Sequence, residues 1–165
     1  MNEYIIRQAI LKDVEAVTRI WMEGSKKSLG FTIPDSDYER FFSKKISNQT
    51  DEFRMWIAEK KDGTILGWQS LFETRINPAI NNLMAESSTY VSKHNTVKGI
   101  GKLLLNHALK YCSDSTNIRY VFGLVLNENT KSLKMCKEVG FVDMGVLPKK
   151  WNRDFPSWNF VVYET

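Results

Sequence analysis

The sequence predicts an α/β (α+β) fold in a single domain spanning residues 1–165: a mixed, mostly antiparallel central sheet of six to seven strands with helices on both faces. Three observations predict it. The run from Glu86 to Cys112 passes from β-branched and aromatic residues, through a polar loop ending in two glycines, into a leucine-rich amphipathic stretch. Tyr120 to Leu126 is a continuous apolar run, as a buried parallel strand should be. Around these, strand-like and helix-like segments follow in the order β-α-α-β-β-β-α-β-α-β-β, which a layered sheet accommodates. A chain of 165 residues suffices for one domain with a real core and is too short for two ordinary ones.

Taken in order, Tyr4 to Ala9 reads as a first strand, and Asp13 introduces a helix with Val14, Val17, Ile20 and Trp21 on one face. Gly24 to Asp37 has glycines, a proline and no periodicity; this loop is expected to border a cleft. A second helix runs roughly from Tyr38 to Ser47 through Phe41, Phe42 and Ile46. Phe53 to Glu59 and Ile65 to Glu73 form a hairpin around the turn Lys61-Asp62-Gly63, closed by Asn77-Pro78. Glu86 to Val91 is the central strand, and Ile100, Leu103, Leu104, Ala108, Tyr111 and Cys112 make the apolar stripe of the helix after it. Asn129 and Ser132 offer caps for a helix through Leu133, Cys136 and Val139 that Gly140 ends. Val142 to Val146 and Trp158 to Tyr163 are the last strands.

Composition excludes several classes. There is no apolar run of membrane-spanning length and no secretory leader pattern at Met1 to Arg7, so a cytoplasmic protein is expected. Cys112 and Cys136 make neither a disulfide framework nor a metal pair, and His94 and His107 lack a second ligand at metal spacing, so no metal is expected. The net charge of +4 comes from scattered lysine pairs such as Lys26-Lys27 and Lys149-Lys150. That pattern describes solvated surface rather than a nucleic-acid site, and its positive potential also suits a polyanionic cofactor.

The chemistry gathers at Lys98-Gly99-Ile100-Gly101, where a helix begins. Glycines there let a ligand approach the backbone, and the unpaired N–H groups and positive dipole end of a first helical turn suit a pyrophosphate. The spacing lacks the third glycine of a dinucleotide fingerprint and the Gly-Lys-Ser/Thr of a P-loop. Tyr90-Val91, the loop, Thr96-Val97-Lys98-Gly99-Ile100-Gly101 and the leucine-rich helix resemble the acetyl-CoA motif of the GCN5-related N-acetyltransferases, Arg/Gln-x-x-Gly-x-Gly/Ala. Within that family the chain is similar to the phosphinothricin and L-amino-acid N-acetyltransferase branch. Ile6-Arg7-x-Ala9 with Asp13, Gly67-Trp-Gln-Ser70 with Arg75, Glu86-x-Ser88-x-Tyr90-Val91, and Asn129-x-x-Ser132 leading to Gly140-Phe141 carry the similarity. The chain departs from the pattern at Thr96, where Arg or Gln is usual, at Val97, where the branch has glycine, at Cys136, where relatives place Tyr or His, and at Phe160, which replaces an acidic residue.

The resemblance implies a GNAT fold, acetyl-CoA as co-substrate, a small-molecule amine as partner and a homodimer. It implies that Thr89, Tyr90, Val91, Thr96, Val97, Lys98, Gly99, Ile100, Gly101 and Asn129 bind the coenzyme. Glu86 is then the general base, the N–H of Val91 the donor to the thioester oxygen, Cys136 a candidate proton donor to the thiolate, and Arg75 a clamp for a substrate carboxylate. Each has a plainer reading: a strand-end glutamate for Glu86, a surface arginine for Arg75, a helix N-cap for Asn129 and a packed helix cysteine for Cys136. Trp56, Trp68 and Trp151 line an acceptor pocket or fill the core. The acceptor stays open among an L-amino acid or its analogues, a peptide N-terminus, a polyamine and an aminoglycoside, and a diverged acyl-CoA-binding module is the competing class.

Overall fold

The computed structural model describes residues 4–25, 35–74, 79–95, 97–147 and 157–165. Strands β1 (Tyr4–Gln8), β2 (Met55–Lys60), β3 (Ile65–Glu73), β4 (Met84–Val91), β5 (Tyr120–Leu126), β6 (Val142–Leu147) and β7 (Trp158–Glu164) form one sheet in the order β1-β2-β3-β4-β5-β7-β6. Every neighbouring pair is antiparallel except β4 and β5. Helices α1 (Val14–Ser25) and α2 (Asp35–Ser47) cover one face of the sheet. Helices α3 (Ile100–Ser115) and α4 (Thr130–Val139) lie on the other.

Each face has its own core. Val17 and Ile20 of α1 and Phe42 and Ile46 of α2 pack on Met55, Ile57, Ile65 and Trp68. On the opposite face, Ile100, Leu104, Leu105, Ala108, Leu109 and Cys112 pack on Trp56, Ala58, Leu66, Leu71, Ala85 and Val121. Burying a large aliphatic side chain contributes about 1.5–3 kcal/mol. Trp56 and Trp68 are therefore core residues and not walls of an acceptor pocket; the Trp68 indole N–H donates to the Val17 carbonyl at 3.1 Å. The stripe expected on α3 is corrected in the same way. The row 100, 104, 108 and 112 is buried as expected, but its inner flank is Leu105 and Leu109, while Leu103 is exposed. Tyr111 and His107 sit on the outer flank, edge-on to Trp56 at 5.2 and 5.6 Å.

The Arg7 and Asp13 pair belongs to the scaffold. Both Arg7 Nη atoms donate to Asp13 at 2.8 and 2.9 Å, and Arg7 Nε donates to Glu59 at 2.6 Å. Asp13 also accepts from the Ile10 N–H, so it closes the short 3-10 turn Leu11–Asp13 that leads into α1 and ties it to β1 and β2. Burial alone would raise the Asp13 pKa, but the hydrogen bonds from Arg7 and Ile10 outweigh it and hold the carboxyl below its ordinary value. At the other end of the chain, Gly140 ends α4 with φ 103°, and the Phe141 N–H returns to the Cys136 carbonyl at 2.9 Å, as the sequence led us to expect.

Candidate active site

The site is made by a sheet that opens. β4 and β5 run parallel through only three residue pairs, Met84 with Tyr120, Ala85 with Val121 and Glu86 with Phe122. Beyond them β5 stays paired with β7 as far as Leu126, and β4 stays paired with β3 as far as Val91. The two strands thus diverge into a fork, which explains why Leu124, expected to be buried, is exposed. The direction of the freed main chain follows from alternation. Ser92 N–H donates to Leu66 of β3, and the Tyr90 carbonyl points at Gly67, so even-numbered residues of β4 face β3. Odd-numbered residues face the fork: the Ser87 carbonyl points at Gly123, and the main-chain groups of Thr89 and Val91 face the gap.

The fork continues into a cleft of about 870 Å³ that reaches the N-terminus of α3. Gly99 precedes that helix with φ 82°, a left-handed conformation that favours glycine. The first helical bond runs from the Leu103 N–H to the Gly99 carbonyl, so the N–H groups of Ile100, Gly101 and Lys102 have no partner within the helix. No acidic residue stands in the first turn. Gly101 lies against β4: a Cβ there would meet Val91 Cγ2 at 3.4 Å and the Met135 sulfur at 3.5 Å. Val97, expected among the coenzyme's contacts, has its N–H taken by the Asn95 side chain at 2.8 Å, while Asn95 Nδ2 donates to the Val97 carbonyl at 2.9 Å. Asn95 is a loop-shaping residue that the sequence reading missed. Thr96 lies outside the described residues.

Helix α4 forms the opposite wall. Asn129 caps it, Oδ1 accepting from the Ser132 N–H at 3.1 Å, and lies on the cleft surface with Lys131 and Lys134. The cap expected of Asn129 is present, and the residue stands where a ligand in the cleft could reach it. Cys136 also borders the cleft, but it is buried, and burial pushes its thiol above the ordinary value. A cysteine that holds its proton more tightly than a free thiol is a poor acid toward a departing thiolate.

The cleft passes through the sheet. Ser87, Thr89 and Val91 direct side chains to the α3 face, while Ser88 and Tyr90 direct theirs to the α1 face, and all five border the cleft. Tyr90 therefore contributes its ring and not its backbone; it stacks on Trp68 at 4.8 Å, and burial pushes its hydroxyl pKa up. Gly24, at the end of α1, completes that side, where a Cβ would come within 3.0 Å of the Tyr90 ring. Glu86 is partly buried and stands at the closed end of the fork on the α1 face, paired across the sheet with Phe72 and Phe122. Phe160 packs on Phe122 at 5.4 Å, so an aromatic surface lies beside the carboxylate. Arg75 and Trp151 lie outside the described residues.

An open fork between parallel strands, ending at a glycine-flanked helix N-terminus, suits a long thin ligand with an anionic end. A family model described as the acetyltransferase (GNAT) family matches residues 15–141. The chain belongs to that family. Among relatives of this GNAT domain, the Bacillus subtilis (strain 168) protein YwnH, named for phosphinothricin acetyltransferase activity, is 30% identical over 145 residues, covering 87% of this chain and 86% of YwnH. A spermidine N(1)-acetyltransferase of Vibrio cholerae is 26% identical over 117 residues, covering 70% of this chain and 63% of its own. A phosphinothricin acetyltransferase of Sinorhizobium meliloti, solved in complex with acetyl-CoA, superimposes with a TM-score of 0.81 over 99% of this chain and 89% of its own, at 18% identity. At that identity the likeness speaks for the fold. The GNAT domain described here is thus an acetyltransferase by family, with the mixed, mostly antiparallel sheet that the sequence predicts.

Proposed function

We propose that the protein transfers the acetyl group of acetyl-CoA to the primary amine of a small molecule, an L-amino acid or an analogue such as phosphinothricin or methionine sulfoximine. The observation that carries this reading is the fork between β4 and β5 opening onto the N-terminus of α3. The residues present fit the coenzyme. Main-chain N–H groups of Ile100, Gly101 and Lys102, with Gly99, Lys98 and the neighbouring Thr96, would hold its diphosphate, and Asn129, Lys131 and Lys134 border the same cleft. Thr89 and Val91 turn their N–H groups to the gap, where the pantetheine arm would lie as a substitute strand. Acetyl-CoA supplies an acyl group already activated as a thioester.

Glu86 accepts the proton of the incoming amine from the far side of the sheet, directly or through one water. The cleft-facing N–H of Thr89 stabilises charge developing on the thioester oxygen, and that of Val91, nearer the open end, is left to the pantetheine arm. Cys136 is assigned to the wall of the cleft rather than to proton transfer, because its burial makes it a weaker acid than an ordinary thiol. Phe72, Phe122 and Phe160 favour an acceptor with an apolar side chain beside its amine. Arg75 is the proposed clamp for the acceptor carboxylate.

Amine-dependent thiol release from acetyl-CoA, measured over free L-amino acids, phosphinothricin, methionine sulfoximine, spermidine, a short peptide and an aminoglycoside, tests the reading. Turnover with amino acids that Arg75→Ala abolishes supports it. Turnover with spermidine that Arg75→Ala leaves intact favours a polyamine, the substrate named for the Vibrio cholerae relative. Saturable coenzyme binding without thiol release from any amine favours the binding module. A homodimer in the cytoplasm is part of the proposal: all six residues of edge strand β6 are exposed, Val142 and Met144 among them. Light scattering at the monomer mass would count against the dimer.

A further inference from the structure

Beneath the fork lies a polar side chain that coenzyme binding alone does not require. Gln69 stands on β3 opposite Thr89 and is 0% exposed. Its Nε2 donates to the Ser70 carbonyl at 2.9 Å and to Ser87 Oγ at 2.8 Å, and its Oε1 accepts from the Thr89 hydroxyl. A main-chain carbonyl can only accept, so Ser70 fixes which end of the amide is nitrogen. The hydrogens of both neighbouring hydroxyls are then fixed in turn. Ser87 Oγ is used as an acceptor and keeps its own proton to give, whereas Thr89 spends its proton on Gln69. Ser87 is the first residue beyond the closed end of the fork and borders the cleft; its hydroxyl has no acceptor among the described residues. A buried amide contributes less to stability than an apolar side chain of its size unless its bonds serve a purpose.

The span of the cleft indicates what meets Ser87. A Cβ at Gly101 would meet Val91 at 3.4 Å and Thr89 at 3.7 Å, so the anion cradle adjoins the open end of the fork. From phosphate to sulfur, an extended pantetheine arm has as many chain bonds as about four residues of strand. Counted from the open end, that length reaches the neighbourhood of Thr89 to Ser87. We propose that Gln69 is a positioning residue that holds the Ser87 hydroxyl as a hydrogen-bond donor to the carbonyl oxygen of the acyl thioester. The proposal rests on the acetyl-CoA reading above. As the amine nitrogen bonds to the carbonyl carbon, the C=O electron pair moves onto oxygen and the Ser87 O–H···O bond strengthens; no proton leaves the serine.

The test is infrared spectroscopy of acetyl-CoA labelled with carbon-13 at the thioester carbonyl, bound to each variant, alongside calorimetry and kcat. In wild-type protein the carbonyl band lies below its position in Ser87→Ala, and Ser87→Thr keeps the wild-type position. Gln69→Glu accepts from Ser87 as well as from Thr89, takes the free proton away and reproduces the Ser87→Ala band. Adding it to Ser87→Ala changes nothing further. Loss of one such donor lowers kcat by about tenfold to a thousandfold while the acetyl-CoA Kd stays within about threefold. Identical carbonyl bands in wild type and Ser87→Ala, with acetyl-CoA bound to both, overturn the proposal and leave the coenzyme reading standing. Absence of binding to wild-type protein overturns both. Ser87→Ala removes a single oxygen, so the result does not depend on whether Gln69→Glu folds.

Discussion

Two substitutions at Asn129 separate its cap from its proposed contact with the coenzyme. Its Oδ1 caps α4 by accepting from the Ser132 N–H at 3.1 Å, and it lies on the cleft wall beside Lys131. Loss of an N-cap costs about 1 kcal/mol. In a domain of this size that lowers the melting temperature by about 2–4 °C, so Asn129→Ala should melt that far below wild type. Asn129→Asp keeps the acceptor and places a negative charge at the positive end of the α4 dipole, so it should melt at or slightly above wild type. In the proposed phosphate-binding role the same charge would face the phosphates of the coenzyme. Two unit charges 4 Å apart repel by about 1 kcal/mol in water and about 4 kcal/mol at an effective dielectric near 20. Asn129 is exposed, so the lower figure applies. Because about 1.4 kcal/mol is tenfold in affinity, Asn129→Asp should bind acetyl-CoA about fivefold more weakly at low salt. The gap should narrow as salt rises and the screening length shortens. Thermal melts and calorimetric titrations at two ionic strengths read both effects. Unchanged low-salt affinity of Asn129→Asp would refute the phosphate role, and an unchanged melt of Asn129→Ala would refute the cap.

Glu86→Gln should lower kcat by about a hundredfold or more and flatten the acidic limb of the pH–rate profile, with acetyl-CoA affinity unchanged by calorimetry; a retained acidic limb would exclude Glu86 as the base. Asp13→Asn should cost about 1–3 kcal/mol at neutral pH, read by denaturant titration, because it breaks a buried charge-assisted network. The Asp13 pKa is depressed in the folded state, so its contribution is present above the ordinary carboxylate range and lost as pH falls through the folded value. The difference between the variant and wild type should therefore shrink in acid, and a difference that grew in acid would contradict the assignment. Cys136→Ala should retain turnover within a few-fold of wild type, and both cysteines should react slowly with thiol reagents at neutral pH, since burial pushes Cys112 up to about 12 and raises Cys136 as well. Large loss of turnover in Cys136→Ala would restore it as the proton donor.

Local sequence patterns were an accurate guide wherever one segment decides its own structure. The hairpin strand Ile65–Glu73, the Asn129 cap and the Gly140 stop depend on nearby residues, and all three stand where the sequence put them. The start of α3 within Lys98-Gly99-Ile100-Gly101 follows for the same reason. The fork was not legible in either strand, because the loss of β4 to β5 pairing after Glu86 is a property of two strands about 35 residues apart. The buried flank of α3 was misjudged because the leucines at 103, 104 and 105 present apolar groups in a wide arc, and the sheet covers only the side with Leu105. Gln69 was visible only as one letter of a resemblance; its role depends on the register that sets Thr89 opposite it. Asn95 carried the signal of an Asx turn, a polar residue two positions before Val97 in a loop, which could have been read. Cys136 sits in a regular α4, and that its thiol is buried and holds its proton tightly could not be read from the helix pattern, because it depends on what packs around the side chain.

The central claim is that free main-chain N–H groups at the start of α3 and along the open side of β4 grip the coenzyme. Amide hydrogen exchange of the full chain, with and without saturating acetyl-CoA, tests it most directly. Exchange is expected to slow at Ile100, Gly101 and Lys102 and at Thr89 and Val91, with little change at Tyr90 and Ser92, whose amides face β3. Unchanged exchange at the α3 start and along β4, or protection confined to another surface, would contradict it.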